Sequence, residues 1–308
     1  MKDRRFVLGA ALALIGLPVV IVPIEAVAFY SANADNGSFV SSGVKREYLL
    51  HVPKSYDGTR PTPLVISLHG GGLWGAVQKD MSLFNTTADR EGFIVVYPSA
   101  IGGRGVRAWH TEDTPSLKRD VRFISELIDT LETHYNIDPA RIYANGLSNG
   151  GGMSFVLSCT LSDRIAAVGL VASAQFLPWK WCTDRRPVPM IDFHGTSDQA
   201  VPYRGGTSWV APRYKGFPSQ LIWVANWAQR NRCAPTPRDT VIAEDVTLRV
   251  YVSCANNADV QLYTVLGGGH TWPGGGRHPK WFVGRTSHSI DASGLMWTFF
   301  RDHPLVRK

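Results

Sequence analysis

The chain has 308 residues, of which 44% are hydrophobic and 19% charged, with a formal net charge of +7. That is enough apolar material for a large core and too little charge for an intrinsically disordered chain. The basic residues are scattered, with no run and no helix-length stripe, which argues against nucleic acid as a partner.

In chain order, Lys2, Arg4 and Arg5 precede an apolar stretch over residues 6–24, the arrangement of an export signal. Pro18 and Pro23 would interrupt a membrane-spanning helix. Ala26-Val27-Ala28 and Ala32-Asn33-Ala34 offer the small-x-small pattern of a cleavage site. Residues 1–34 are expected to be an export signal with a short linker, the alternative being an uncleaved membrane anchor. Either way the rest of the chain is expected to be secreted, periplasmic or in the cell envelope, touching a membrane only through that segment. The four cysteines, Cys159, Cys182, Cys233 and Cys254, agree with export. None forms a Cys-x-x-Cys pair, and as disulfides they allow three connectivities. Nearest-neighbour pairing would close two loops of roughly twenty residues, each contributing about 3 kcal/mol in a chain-entropy treatment.

After a polar, loop-like stretch over residues 31–43, β-rich runs alternate with helical patterns. Strands are predicted over 46–52, 64–68 and 93–97. Thr114 can cap a helix with Pro115 at its first position, and Val121, Ile124, Leu127, Ile128 and Leu131 share one face of it. Asn136 and Pro139 lie beyond its end. Strands follow over 141–144, 166–171 and 189–193, with helices from about Asn149 and over 219–229. Late strands over 248–252 and 260–266 precede a final helix over 289–300. Continuous apolar strands alternating with helices predict an α/β domain with a mostly parallel central sheet and helices on both faces, spanning residues 38–308. In such sheets the chemistry lies beyond the carboxyl ends of the strands.

Three strand ends carry chemical parts. Gly146-Leu147-Ser148-Asn149-Gly150 follows one strand and opens a helix, the context a G-x-S-x-G nucleophile turn requires. Glycine on either side relieves the crowding of a sharp turn and leaves Ser148 as candidate nucleophile. His69-Gly70-Gly71-Gly72 ends an earlier strand. A tetrahedral oxyanion needs two preplaced N–H donors, assigned here to the backbone of Asn149 and of Gly71, with Gly70 the alternative to Gly71. His69 precedes Ser148 and reads as a structural brace of that loop. Downstream, His194-Gly195-Thr196-Ser197-Asp198 places Asp198 on a strand-end loop, whereas its rival Asp192 lies inside an apolar strand. His270 follows Gly267-Gly268-Gly269 at another strand end, a placement that His278, His288 and His303 lack. The order Ser148, Asp198, His270 is that of a nucleophile, orienting acid and general base. The dispersed histidines and the glycine spacings imply no metal and no dinucleotide or phosphate-binding cofactor.

These segments, together with Ile137-Asp138-Pro139-Ala140-Arg141, Val201-Pro202-Tyr203 and Gly269-His270-Thr271-Trp272-Pro273-Gly274, resemble the secreted esterases of the polyhydroxybutyrate depolymerase and feruloyl esterase type. That group of α/β-hydrolases also includes acetyl xylan esterases. The resemblance implies the α/β-hydrolase fold, the same three catalytic residues and a pairing of Cys233 with Cys254. It implies a serine carboxylesterase acting on hydroxycinnamoyl, acetyl or short hydroxyacyl esters through an acyl-enzyme. Family members often carry a small residue where this chain has Asn149, a difference that leaves the backbone donor intact. Trp272, Tyr203 and Trp74, with Trp109, Trp179 and Trp181 nearby, are candidates for aromatic substrate walls. No added polymer-binding module is read, so soluble or oligomeric esters are the expected partners. Acyl transfer to another acceptor, and an inactive binding protein on the same scaffold, are the alternatives.

Overall fold

A computed structural model describes residues 35–103, 106–173, 175–182, 186–208, 214, 216–276 and 283–306. The expected export segment and His278 lie outside the described residues. Asp35–Lys308 is one compact unit.

The strands are β1 (Gly37–Ser41), β2 (Val44–His51), β3 (Thr62–Leu68), β4 (Ile94–Pro98), the short pair β5 (Gly102–Gly103) and β6 (Val106–Arg107), β7 (Ile137–Leu147), β8 (Val168–Val171), β9 (Met190–Gly195), β10 (Arg238–Ala243), β11 (Val246–Tyr251) and β12 (Val260–Val265). All but β5 and β6 form one sheet in the order β1-β2-β4-β3-β7-β8-β9-β12-β11-β10. The central run from β4 to β12 is parallel, and the two edges are antiparallel. The helices are α1 (Gly75–Ser82), α2 (Phe84–Glu91), α3 (Pro115–His134), α4 (Asn149–Thr160), α5 (Gln220–Arg230) and α6 (Ala292–Arg301).

The period of two along the central strands divides the interior into two cores. Leu64, Ile66 and Leu68 of β3 pack with Phe123 of α3, Phe155 of α4 and Trp223 and Trp227 of α5. Val65, between them, points to the opposite core, with Phe84 of α2 and Trp297 and Phe300 of α6. This is the α/β arrangement expected from the sequence, helices on both faces included. The start of α3 is also as read: Thr114 is its cap, its hydroxyl accepting the Leu117 N–H at 3.4 Å, with Pro115 in the first turn.

Three local readings need correction. Residues 37–41 are a strand where a loop was expected. Ser42 and Gly43, both at positive φ, close β1 onto β2 as a two-residue hairpin turn. Pro139 lies inside β7, which begins four residues earlier than read. The β3–β7 pairing shifts register between Thr62 and Leu64, where β7 crosses that proline, so its missing N–H falls at an irregularity in the ladder. Strand β10, an exposed edge, had no apolar alternation to reveal it. The cysteines pair as nearest neighbours, Cys159–Cys182 and Cys233–Cys254, at sequence separations of 23 and 21.

Candidate active site

Strand β7 hands the chain to α4 through Ser148, which sits at φ 55°, ψ −117°. A non-glycine residue with positive φ is strained, so this turn is held by its surroundings. The Ser148 N–H donates to Val171 O at 2.8 Å, and its carbonyl accepts the Gly152 N–H at 3.0 Å. The flanking glycines are required sterically. A Cβ on Gly146 would lie 2.3 Å from the Gly150 carbonyl carbon, and one on Gly150 would lie 2.2 Å from Leu68 O. The turn can form only where helix and strand backbones touch.

Strands β9 and β12 are parallel neighbours, with Gly195 opposite Val265. Their following loops therefore run side by side, and they bring Asp198 and His270 together. The His270 Nδ1–H donates to Asp198 Oδ2 at 2.8 Å, because a carboxylate can only accept. That proton assignment leaves Nε2 with its lone pair, as a general base requires. Asp198 Oδ1 accepts the backbone N–H groups of Ala200 and Val201, each at 2.8 Å. Burial opposes ionisation of Asp198, but the facing His270 and His194 outweigh it and hold the carboxyl well below the usual carboxylate range. Strand β7 is separated from β9 only by β8. Ser148 therefore lies at the same carboxyl end of the sheet as the pair, its strand two spacings, roughly 10 Å, from β9 and three from β12. Among the described residues the Ser148 hydroxyl carries no hydrogen bond.

Asp192, the rival acid, is fully buried in β9 on the sheet and does not meet His270. A second imidazole against Asp198 was missed. His194 Nε2 lies 3.3 Å from Asp198 Oδ2 and 2.8 Å from Val201 O. The i,i+4 spacing of His194 and Asp198 across a glycine turn was the only sequence signal for it.

The early glycine loop lies against the nucleophile turn. A Cβ placed on Gly70 would be 3.6 Å from Ser148 Cβ, and one on Gly71 would be 3.9 Å from Asn149 Cβ. The two residues assigned as oxyanion donors are thus neighbours. Among the described residues neither amide is spent on a backbone carbonyl outside the regular elements. His69 is the brace expected. Its Nδ1–H donates to Gly70 O at 2.7 Å, and its Nε2 accepts the Ala100 N–H at 2.9 Å. Burial pushes its pKa down to about 4, so the ring is neutral with one tautomer fixed.

A cleft of about 280 Å³ opens beside Asn149, walled by Trp109, His110, Thr111, Glu112, Thr114 and Phe176. Of the aromatic residues named from the sequence, Trp109 walls this cleft, and Trp272, Tyr203, Trp74 and Trp179 fall elsewhere. Trp272 is fully buried. Its indole N–H donates to Ser293 Oγ at 3.0 Å and its ring meets the edge of Phe84, so it backs the His270 turn from the core and offers no wall to a ligand. Tyr203 is half-buried, with its hydroxyl bonded to Thr264 Oγ1 at 2.8 Å and its ring beside His194. Trp74 is half-buried just after Gly72, at the start of α1. Trp179 belongs to a cluster with Phe155, Trp223 and Trp227.

Residues 47–180 match the family described as esterase PHB depolymerase. Feruloyl esterase B of Piromyces equi is 31% identical over 234 residues, covering 73% of this chain and 42% of that protein. A bifunctional acetylxylan esterase/xylanase of Neocallimastix patriciarum is 28% identical over 212 residues, covering 68% of this chain and 29% of that protein. The chain therefore spans less than half the length of either relative. An acetyl xylan esterase from Aspergillus awamori superposes with a TM-score of 0.58 at 16% identity, over 73% of this chain and 89% of that one, a likeness of fold. Motif spacing, sheet order and sequence similarity agree: the chain has the α/β-hydrolase fold, and over residues 47–180 it is similar to the esterase PHB depolymerase family.

Proposed function

We propose that the protein is an exported carboxylic ester hydrolase that works through an acyl-enzyme on Ser148. The observation that carries this reading is the Asp198–His270 hydrogen bond, formed at the carboxyl end of the sheet where the strained Ser148 turn lies. His270 Nε2 takes the Ser148 proton as Oγ attacks the ester carbonyl carbon. The carbonyl π electrons move onto oxygen, and the backbone N–H groups of Gly71 and Asn149 stabilise that oxyanion. The imidazolium returns its proton to the departing alcohol oxygen, leaving an acylated Ser148. Water, deprotonated by the same imidazole, then releases the acid. Asp198 remains ionised throughout, orienting His270 and stabilising its charged form.

Hydroxycinnamoyl, acetyl or short hydroxyacyl esters are the substrate class, in line with the names of the relatives. The 280 Å³ cleft beside Asn149, with aromatic and polar walls, has room for such a group. Export is supported by the two disulfides, which persist in oxidising compartments.

A fluorophosphonate probe tests the mechanism. The wild type is expected to be labelled and Ser148→Ala to be silent. Labelling that survives Ser148→Ala, or a wild type that resists the probe, overturns it. Turnover of methyl ferulate, p-nitrophenyl acetate and hydroxybutyrate oligomers then identifies the acyl group.

A further inference from the structure

Both oxyanion donors are tied to one short segment that belongs to neither of their motifs. Residues 107–111 lead from the β5–β6 pair towards α3. The Gly72 N–H donates to Arg107 O at 2.7 Å. The Trp109 indole N–H donates to His69 O at 3.1 Å. The segment thus holds the turn that carries Gly71 on both sides of it. The Asn149 side chain grips the same segment from the helix side. Its Oδ1 accepts the Trp109 N–H at 2.7 Å, and its Nδ2–H donates to Trp109 O at 3.0 Å.

The segment is itself anchored. The His110 N–H donates to Asp120 Oδ2 at 3.0 Å, and Arg46 Nη2 lies 3.0 Å from Asp120 Oδ1. Both side chains of that ion pair are 2% exposed. The Arg46 guanidinium lies 3.8 Å over the Phe123 ring, on which the Trp109 ring also stacks.

An oxyanion site works only if its donors lie about 3 Å from where the negative oxygen will form. Here one donor sits on an exposed glycine turn and the other on the first residue of α4. Glycine runs have the widest conformational freedom, so the first donor needs an external constraint. We propose that residues 107–111 are a strap that sets the spacing of the two donors, and that Trp109 and the Asn149 side chain are positioning residues for ester cleavage. The proposal rests on the esterase reading above. It also accounts for an asparagine where a small side chain would leave the backbone donor intact: the amide group holds the strap while the backbone N–H faces the oxyanion.

Two variants separate the parts. Asn149→Ala keeps the backbone N–H, and Trp109→Phe keeps the ring while removing the indole N–H. Five quantities are read: kcat and KM on p-nitrophenyl acetate, the inhibition constant of an aryl trifluoromethyl ketone, whose adduct with the serine presents an oxyanion, backbone hydrogen exchange over residues 69–73, and the melting temperature. In each variant kcat is expected to fall ten- to a hundredfold, about the effect of a 1 Å misplacement. KM should stay within twofold, the inhibition constant should rise in step with the loss of kcat, and exchange over 69–73 should quicken. An inhibition constant and kcat within twofold of wild type would sink the proposal. So would a raised KM and lowered melting temperature with the inhibition constant unchanged, the signature of general loosening. Exchange is read without turnover. A wild type that fluorophosphonate does not label therefore removes the esterase reading, whereas a labelled wild type with unaltered exchange in Asn149→Ala removes the strap alone.

Discussion

Asp198 holds its charge because two imidazoles and two backbone amides surround it, and its role can be tested without changing its shape. Asp198→Asn removes the charge and leaves His270 free to take the wrong tautomer. Turnover of p-nitrophenyl acetate is expected to fall by about 10⁴, with the fold intact by circular dichroism. His69 and Asp192 bear instead on stability. Burial pushes His69 down to about 4 and Asp192 up to about 6. Between pH 6.5 and 4 the unfolded chain takes up the His69 proton first, so stability is lost as pH falls. For Asp192 the folded state takes up the proton first between about pH 6 and 4, so stability is lost as pH rises. The two slopes oppose each other. Asp192→Asn removes one of them and also takes a carboxylate away from His194, whose pKa Asp192 helps to raise. Urea midpoints of Asp192→Asn should therefore drop more steeply than those of wild type between pH 6.5 and 4.5. Equal slopes would show that these groups do not set the profile. The candidate acid, base and nucleophile were legible because each follows an apolar strand within a glycine-marked turn. Trp272 was misread because nearness in sequence to His270 says nothing about which way a turn directs the next side chains.

At the level of elements, close backbone approach makes a prediction that separates glycines of the same motif class. A Cβ on Gly150 meets the Leu68 carbonyl oxygen at 2.2 Å, with no flexible side chain to yield. Gly150→Ala must therefore push α4 off β3, and it is expected to lower stability by 1–3 kcal/mol or more in a thermal melt. A Cβ on Gly71 meets nothing closer than 3.9 Å, at Asn149. Gly71→Ala should melt within about 2 °C of wild type yet lose ester turnover, because its methyl group stands where the carbonyl must approach. A large loss of stability in Gly71→Ala would contradict the packing. The central strands and α3 to α6 were readable from apolar runs, caps and period. Helices α1 and α2 were not, since their boundary is Leu83 in the left-handed region, which no propensity favours. The segment over residues 107–111 was equally illegible, because it acts mainly through backbone carbonyls and amides that any sequence possesses.

Across the whole molecule, the two disulfides are tested through stability. Helix α4 begins at the Ser148 turn, and near its far end Cys159 is bonded to Cys182. Loops of 23 and 21 residues correspond to about 3 kcal/mol each in the chain-entropy treatment. The paired substitution of Cys159 and Cys182 by serine should lower the melting temperature by roughly 6–12 °C in calorimetry, at 2–4 °C per kcal/mol for a large domain. A shift below 2 °C would show that the bond only decorates a fold already secured by its two cores.

The backbone geometry of Ser148 sets durability against turnover. A side chain at φ 55°, ψ −117° costs on the order of 1–3 kcal/mol. Glycine adopts that geometry without the cost, whereas alanine bears it as serine does. Ser148→Gly should therefore outlast Ser148→Ala on heating, while both are expected to be inert. Any directed-evolution campaign scored only on surviving heat would enrich clones that have discarded the proposed nucleophile, so selection on this scaffold has to read product formed after the heat step.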